Sequence, residues 1–325
     1  MKRFRRVALA LIISGAFVGN FAYSQDSFPS KPVTMVVGFA PGGATDFLAR
    51  LLAREFSEEF KKPFIVVNKP GANSGLAMSS VATAPSDGHT LLLVPVGLAV
   101  NELFYNKVTY SIKDFEPIGL IAKMPNVIIV NKKLNVSSLK ELVDYSVNHP
   151  KKEVAFAAPA AGSSAHLSSE LLRRETKANL LHIPYNGDAP SIVAVKSGVV
   201  DIGLVNLSAA AGLIKSGDFT ALAVTTAKRA PNFPDIPTIA ESGVPNYEVS
   251  SYYGLGAPAG TPPEIVEKLN KSLMRILEQP AVKTKIAEMG FITENNSPVD
   301  FKKFLISENN KWRVIVKESG MKPVN

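Results

Sequence analysis

Short apolar runs alternate with amphipathic stretches along the chain from Val33 onward, the pattern of strands interleaved with helices. Val33 to Phe39 predicts a buried strand and Pro41-Gly42-Gly43 a turn. Thr45 to Lys61 predicts a helix, because Phe47, Leu48, Leu51, Leu52, Phe56 and Phe60 recur on one face with charges opposite. Phe64 to Val67 predicts the next strand, 68–75 a loop, Leu76 to Thr83 a short helix and Thr90 to Val94 a third strand, completing a βαβαβ set.

A second set follows Pro125. Strands are expected at Val127 to Val130, Val154 to Ala157, Leu180 to Ile183 and Asp201 to Val205. Helices are expected at Ser138 to Asn148, from the Gly162-Ser163-Ser164 cap through Lys177, and at Ala189 to Lys196. A further apolar run at Phe219 to Thr225 gives way to irregular chain marked by Pro231, Pro234 and Pro237. Then come a strand around Val249 to Leu255 and three helices, the first opened by Pro262-Pro263. These last helices have no strands of their own, so they are expected to pack back on the first half. The pattern predicts an α/β protein of two lobes, residues 25–124 plus 226–325 and residues 125–225. Two crossings near 122–127 and 222–228 would let the lobes close on a ligand in the cleft between them.

The first residues read differently. Basic residues at 2–6, an apolar run from Val7 to Val18 and Ala22-Tyr23-Ser24 predict a secretory signal peptide, residues 1–24, cut after Ser24, and a periplasmic mature protein. Removing its four cations from the formal +8 leaves +4, too modest and too spread out to suggest nucleic acid, and mildly favourable to small anions. The absence of cysteine excludes a disulfide scaffold, a thiol nucleophile and cysteine-ligated zinc. No later run reaches the length of a membrane-spanning helix.

Catalytic chemistry finds little support. There is no nucleophile elbow, phosphate-binding loop, dinucleotide fingerprint or His-Glu-x-x-His pair, and none of His89, His149, His166 and His182 lies four residues from another. No catalytic residue, metal or cofactor is expected. What the chain offers instead is helix starts preceded by small residues: Phe39-Ala40-Pro41-Gly42-Gly43-Ala44-Thr45-Asp46 in the first half and Ala160-Ala161-Gly162-Ser163-Ser164 in the second. Unpaired amides and the positive end of a helix dipole suit an anion there. Asp46 has two readings, an acceptor for a ligand group or a brace for its own loop. Tyr185 follows a strand, and Tyr252 and Tyr253 alternate on another, so only one of that pair can face a cleft.

Several blocks, in order, resemble the Bug family of periplasmic solute-binding receptors, associated with tripartite tricarboxylate transporters. They are Pro29 to Val33, Gly38 to Asp46, Asn68 to Gly75, Pro85 to Leu92, Gly162 to Leu167, His182 to Tyr185, Leu222 to Thr225 and Ala257 to Pro262. The resemblance covers essentially the whole chain after the leader. It implies a type II periplasmic binding fold, or Venus flytrap, holding a small carboxylate between the lobes, and integral-membrane transporter subunits as partners of a monomer. The ligand residues it implies are Phe39, Ala40, Gly42, Gly43 and Asp46 in the first lobe and Ser163, Ser164 and His166 in the second; Tyr185, Asn206 and Tyr253, at or on strands bordering the expected cleft, are added as candidate ligand residues. Departures bear on the ligand. Asn186 stands where the family commonly has lysine, Asp188 where it has a small residue, Val205-Asn206 where Asp-Asn is frequent, and Val94-Pro95-Val96 in place of a Gly-Thr-Ser stretch. A tricarboxylate, a monocarboxylate, an aromatic acid and an amino acid all stay open, as does signalling to a membrane sensor instead of transport, with an exported hydrolase as the remaining alternative.

Overall fold

A computed structural model describes residues 28–149 and 153–319, so the leader and its cleavage point lie outside the described residues. Strands β1 (Val33–Val37), β2 (Phe64–Asn68) and β3 (Thr90–Val94) alternate with helices α1 (Ala44–Phe60), α2 (Gly75–Ala82) and α3 (Gly97–Phe104). A long strand, β4 (Phe115–Val130), then leads to α4 (Leu139–Asn148), β5 (Val154–Pro159), α5 (Ser164–Thr176), β6 (Leu180–Tyr185), α6 (Asp188–Ser197), β7 (Ile202–Asn206), α7 (Leu207–Lys215) and β8 (Thr220–Val224). After an irregular stretch come β9 (Ser250–Pro258) and helices α8 (Pro263–Glu278), α9 (Pro280–Glu288) and α10 (Pro298–Ser319). Among the described residues no helix is long and apolar enough to cross a membrane.

The sheet runs β2-β1-β3-β9-β4-β7-β5-β6, with β8 also paired to β4. The two halves repeat one plan. β1 pairs in parallel with β2 and β3, and β3 meets β9 antiparallel; β5 pairs in parallel with β6 and β7, and β7 meets β4 antiparallel. The fold is thus the expected α/β two-lobed one, and β4 belongs to both lobes. Its residues up to Pro125 pair with β9, and those from Asn126 with β7. Sequence pattern predicts only Val127 to Val130 of this strand, because Pro117, Gly119 and Pro125 interrupt it. Register slips between Pro117 and Gly119 and between Leu120 and Ala122 absorb the first two as bulges, and Pro125 stands where pairing with β9 ends. Helices α3 and α7 also go unpredicted: α3 is buried on nearly every side, so its sequence lacks a polar face.

The return crossing lies later than the sequence suggests. Val249 donates its amide to Thr225, Ile239 donates to Val224, and Ala230 and Ile236 join a core with Val127, Ile129 and Val205. The Pro-rich residues therefore cover the second half, because their scattered apolar side chains find that core, and the chain changes sides where Ser250 pairs with Pro125. Helix α8 packs on the first half as expected, its Leu269, Leu273 and Ile276 meeting Leu48, Leu52 and Phe56 of α1. Helix α10 reaches further. Asn309 donates to the Ala99 carbonyl in α3 at 2.7 Å, while Glu318 pairs with Arg174 of α5 at 2.7 Å. Between them Trp312, 1% exposed, shares a core with Phe104 and Phe156, one residue from each half. Trp312→Ala should cost about 3–5 kcal/mol, read as a lower urea midpoint by circular dichroism; a loss below about 1 kcal/mol would mean α10 is only lightly docked.

Candidate functional site

In an open α/β sheet a crevice forms at the carboxyl ends of strands where the connections diverge to opposite sides. Here that condition is met twice, at β1 between β2 and β3 and at β5 between β6 and β7. The loops leaving β1 and β5 are the two glycine-containing helix starts singled out in the sequence. At one rim the halves touch: Tyr105 donates its hydroxyl to the Ala161 carbonyl at 3.1 Å, and the Phe104 ring meets His166 edge-on, centroids 5.5 Å apart. A Cβ at Gly162 would lie 3.3 Å from Asn73 Nδ2 and 3.4 Å from Phe104, which fits glycine at this close approach.

Phe39 to Gly43 are exposed, whereas Asp46, one turn into α1, is buried. Its Oδ2 accepts from the Gly42 amide at 2.9 Å and from Arg50 Nε at 2.8 Å, and its Oδ1 accepts from Asn68 Nδ2 at 2.9 Å. Asn68 also donates to the Phe39 carbonyl, closing the loop on itself. Burial opposes ionisation of Asp46, but the hydrogen bonds from Arg50, Gly42 and Asn68 outweigh it and hold the carboxyl below its usual range. Of the two readings, the geometry places Asp46 as the brace of the loop. The Gly42 amide, expected to face a ligand, already donates to Asp46, and Gly42 needs its glycine for a φ of +88°. Gly43 caps α1 without any side-chain bond, so the first-turn amides, which helix geometry leaves over, have no cap.

Beside it, Ala72, Asn73 and Ser74 take left-handed φ values of 49°, 46° and 68°. Such a run of non-glycine residues persists only when its surroundings hold it. Asn101, 1% exposed, does so: its Nδ2 donates to the Asn73 carbonyl at 3.1 Å and to Tyr110 at 2.8 Å, and its Oδ1 accepts from Asn73 at 2.9 Å.

In the second half Ser163 is the N-cap of α5. Its hydroxyl accepts from the His166 amide and donates to the Pro159 carbonyl, both at 3.2 Å. The His166 ring turns its Nδ1 to the Gly162 amide at 3.2 Å rather than to either serine hydroxyl. Burial, with help from His182 and Arg173, pushes the His166 imidazole down to about 3, so it is neutral. Ser163 and His166 therefore shape the loop from behind. Ser164 points away into a buried polar chain. Its hydroxyl lies 2.6 Å from Ser251 Oγ and donates to Asn126 Oδ1 at 3.2 Å; Ser251 donates to Asn206 Oδ1 at 2.7 Å; and Asn206 gives its Nδ2 to Asp188 at 2.7 Å and its amide at 3.1 Å. Asn126 Nδ2 is buried with no partner. Tyr253 is also buried, its hydroxyl pushed up by burial and by nearby Asp188, while Tyr252 lies on the other face and donates to Val96. Tyr185 is half-buried at the end of β6.

The chain thus joins Ser164, Asn206 and Tyr253, but through Ser251 and Asn126, which sequence reasoning does not single out. Their signal is a lone asparagine ahead of the apolar run 127–130 at one crossing and a serine pair, Ser250-Ser251, at the start of a strand at the other. Among the described residues no group of three or more His, Cys, Asp or Glu is placed to hold a metal ion.

Residues 48–321 match the family described as the tripartite tricarboxylate transporter family receptor. The chain belongs to that family. It is 35% identical over 319 residues to the protein BugT of Bordetella pertussis, covering 96% of this chain and 98% of that one. The solved structure of R. palustris Rpa4515 with adipate superposes with a TM-score of 0.84 at 38% identity, covering 91% of this chain and all of that one. MatC (Rpa3494) from Rhodopseudomonas palustris with bound malate gives a TM-score of 0.79 at 33% identity, covering 89% of this chain and all of that one. Membership makes this chain a periplasmic receptor by family, and the structural relatives are binding proteins.

Two outcomes follow for the receptor's loops. Asp46→Asn should cost about 1.5–3 kcal/mol of stability and weaken every bound acid by a similar factor, measured by calorimetry; a loss confined to ammonium-bearing ligands would place Asp46 in contact with ligand instead. His166 has a folded pKa depressed from 6.5, so its stabilising share is complete above that pH and is lost as pH falls toward about 3. Between pH 6 and 5 the parent should lose about 1 kcal/mol more than His166→Gln in chemical denaturation, and parallel pH profiles would refute a buried neutral imidazole.

Proposed function

We propose that this receptor closes its two lobes, without chemical turnover, on a small carboxylate and delivers it to the integral-membrane subunits of a tripartite tricarboxylate-type transporter. The observation that carries the reading is the uncapped start of α1 at the β1 divergence point, its loop pre-braced by Asp46, with a second helix start at the matching divergence point of the other half. Amides ordered before the ligand arrives bind an anion with little reorganisation. Relatives solved with adipate and with malate support the same ligand class.

In this reading Phe39, Ala40 and the Gly42-Gly43 peptide touch the ligand from the first lobe, and Tyr185 and Asn206 from the second. Asp46, Ser163, Ser164, His166 and Tyr253 hold those surfaces in place. The lobes divide at Pro125/Asn126 and near Val249/Ser250, which the β4–β9 pairing sets side by side as one hinge. The mature protein begins after Ser24 and works as a monomer without metal or cofactor.

Unfolding, dialysis and refolding would first remove carried-over ligand. A thermal-shift panel of mono-, di- and tricarboxylates should then contain a binder. At 100 times its Kd that ligand adds about 2.7 kcal/mol, a rise of several degrees, with compaction in small-angle scattering and no product. Silence across the panel, or turnover of a hit, would reject the reading. A Cβ at Gly43 would have room, its nearest neighbour being the Ala40 carbonyl at 4.0 Å. Gly43→Ala should therefore change stability by no more than about 1 kcal/mol yet weaken binding by more than about tenfold; unchanged affinity would move the anion away from α1.

A further inference from the structure

Asp188 stands out on the second-lobe floor. It opens α6 just beyond β6, yet both its oxygens are held by Asn206 at the end of β7. In the sheet β5 lies between those two strands, with Pro159 level with Tyr185 and Ala157 level with Gly203. The Asp188–Asn206 bridge therefore spans the carboxyl end of β5, in front of the loop that starts at Ala160 and at the divergence point itself. Asp188 is partly exposed, and it is the only charged residue among 160–163, 186–188 and 206–208. The corresponding acid of the first lobe, Asp46, is paired with Arg50; Asp188 has no cationic partner among the salt bridges of the described residues.

The fixed geometry matters for what the carboxylate can still do. An ionised carboxylate has about four lone-pair positions, and each Asp188 oxygen takes one bond from Asn206. Lone pairs on both oxygens remain. Asn206, which holds Asp188, also accepts from Ser251 of β9 at 2.7 Å, so the bridge lies one hydrogen bond from the strand that joins the two halves. Burial raises the Asp188 carboxyl above its ordinary range, with the Asn206 bonds working against the shift. That direction is expected of an acid lacking a positive neighbour.

We infer that Asp188 is a specificity-determining residue that selects, among small carboxylates, those carrying a hydrogen-bond donor, a hydroxyl or an ammonium group, near the bound carboxylate. The inference rests on the carboxylate-receptor reading above. A donor placed over β5 meets free lone pairs on Asp188, and an ammonium also neutralises the uncompensated charge. A second carboxylate in the same place meets like charge in a partly desolvated setting.

The matched acids succinate, malate and aspartate differ in one substituent, hydrogen, hydroxyl or ammonium, and adipate with 2-aminoadipate repeats the contrast on a longer chain. Calorimetry on refolded, ligand-free parent should show malate or aspartate, or 2-aminoadipate in the longer series, bound at least about tenfold more tightly than its unsubstituted partner. Whichever of malate and aspartate leads identifies the donor. In Asp188→Asn that preference should collapse to within about threefold, with succinate or adipate bound as well as before or better. Asp188→Ser, which keeps a short side chain with an acceptor oxygen, serves if the asparagine variant does not fold. Equal binding of substituted and unsubstituted acids by the parent, or a preference that survives in the variant, would overturn the inference and leave the carboxylate reading standing. An equal loss for every acid in the variant would reduce Asp188 to a structural tie to Asn206 and overturn it likewise. Silence of all five acids toward the parent would count against both.

Discussion

The antiparallel pairing of β4 with β9 is the constraint on which the rest of this structure depends. One strand, β4, gives its first part to the sheet of one lobe and its last five residues to the other. The partner that lets it leave the first sheet is the strand by which the chain returns. Because Pro125 is paired with Ser250, the two passages between lobes lie adjacent, and a rotation about them changes few backbone angles. The polar side chains at this seam, Asn126, Thr225 and Ser251, bond one another or the helix starts that face the cleft. In the proposed reading, hinge and ligand floor are therefore built from the same residues.

The anion site follows a division of labour. In the proposed reading, main-chain amides at helix starts meet the acid, and several of the side chains marked in the sequence bond the loops that carry those amides. Asp46 fastens the first loop to Arg50 and Asn68, Ser163 caps α5, and neutral His166 supports the turn at Gly162. Ordered amides present partial positive charge at a smaller desolvation cost than a full ionic side chain does.

Much of the fold was legible because its strands and helices differ in period. The βαβ units, the cap at Ser163 and the glycine turn before α1 all announce themselves locally. What stayed hidden depends on partners distant in sequence. The first two-thirds of β4 carries prolines and a glycine that local rules disfavour in a strand, and only the bulges against β9 at Pro117 and Gly119 and the end of that pairing at Pro125 accommodate them. Helix α3 shows no amphipathic period because α10 covers the side that would otherwise be wet. At the site the helix starts were visible, but the bonding of Asp46 was not, since Asn68 lies 22 residues away. Ser251 and Asn126 were not marked at all, since a polar residue beside an apolar run does not say whom it meets.

On the proposed reading, a pocket that grips its ligand through peptide groups has an evolutionary consequence. Main-chain amides cannot be mutated away, so the ability to hold an acid survives almost any exchange of the surrounding side chains. The residues around the loops are then free to drift, one codon at a time, toward whatever else the acid carries. A genome could stock itself with many copies of such a scaffold, each tuned to a different nutrient, without any lineage passing through a form that binds nothing.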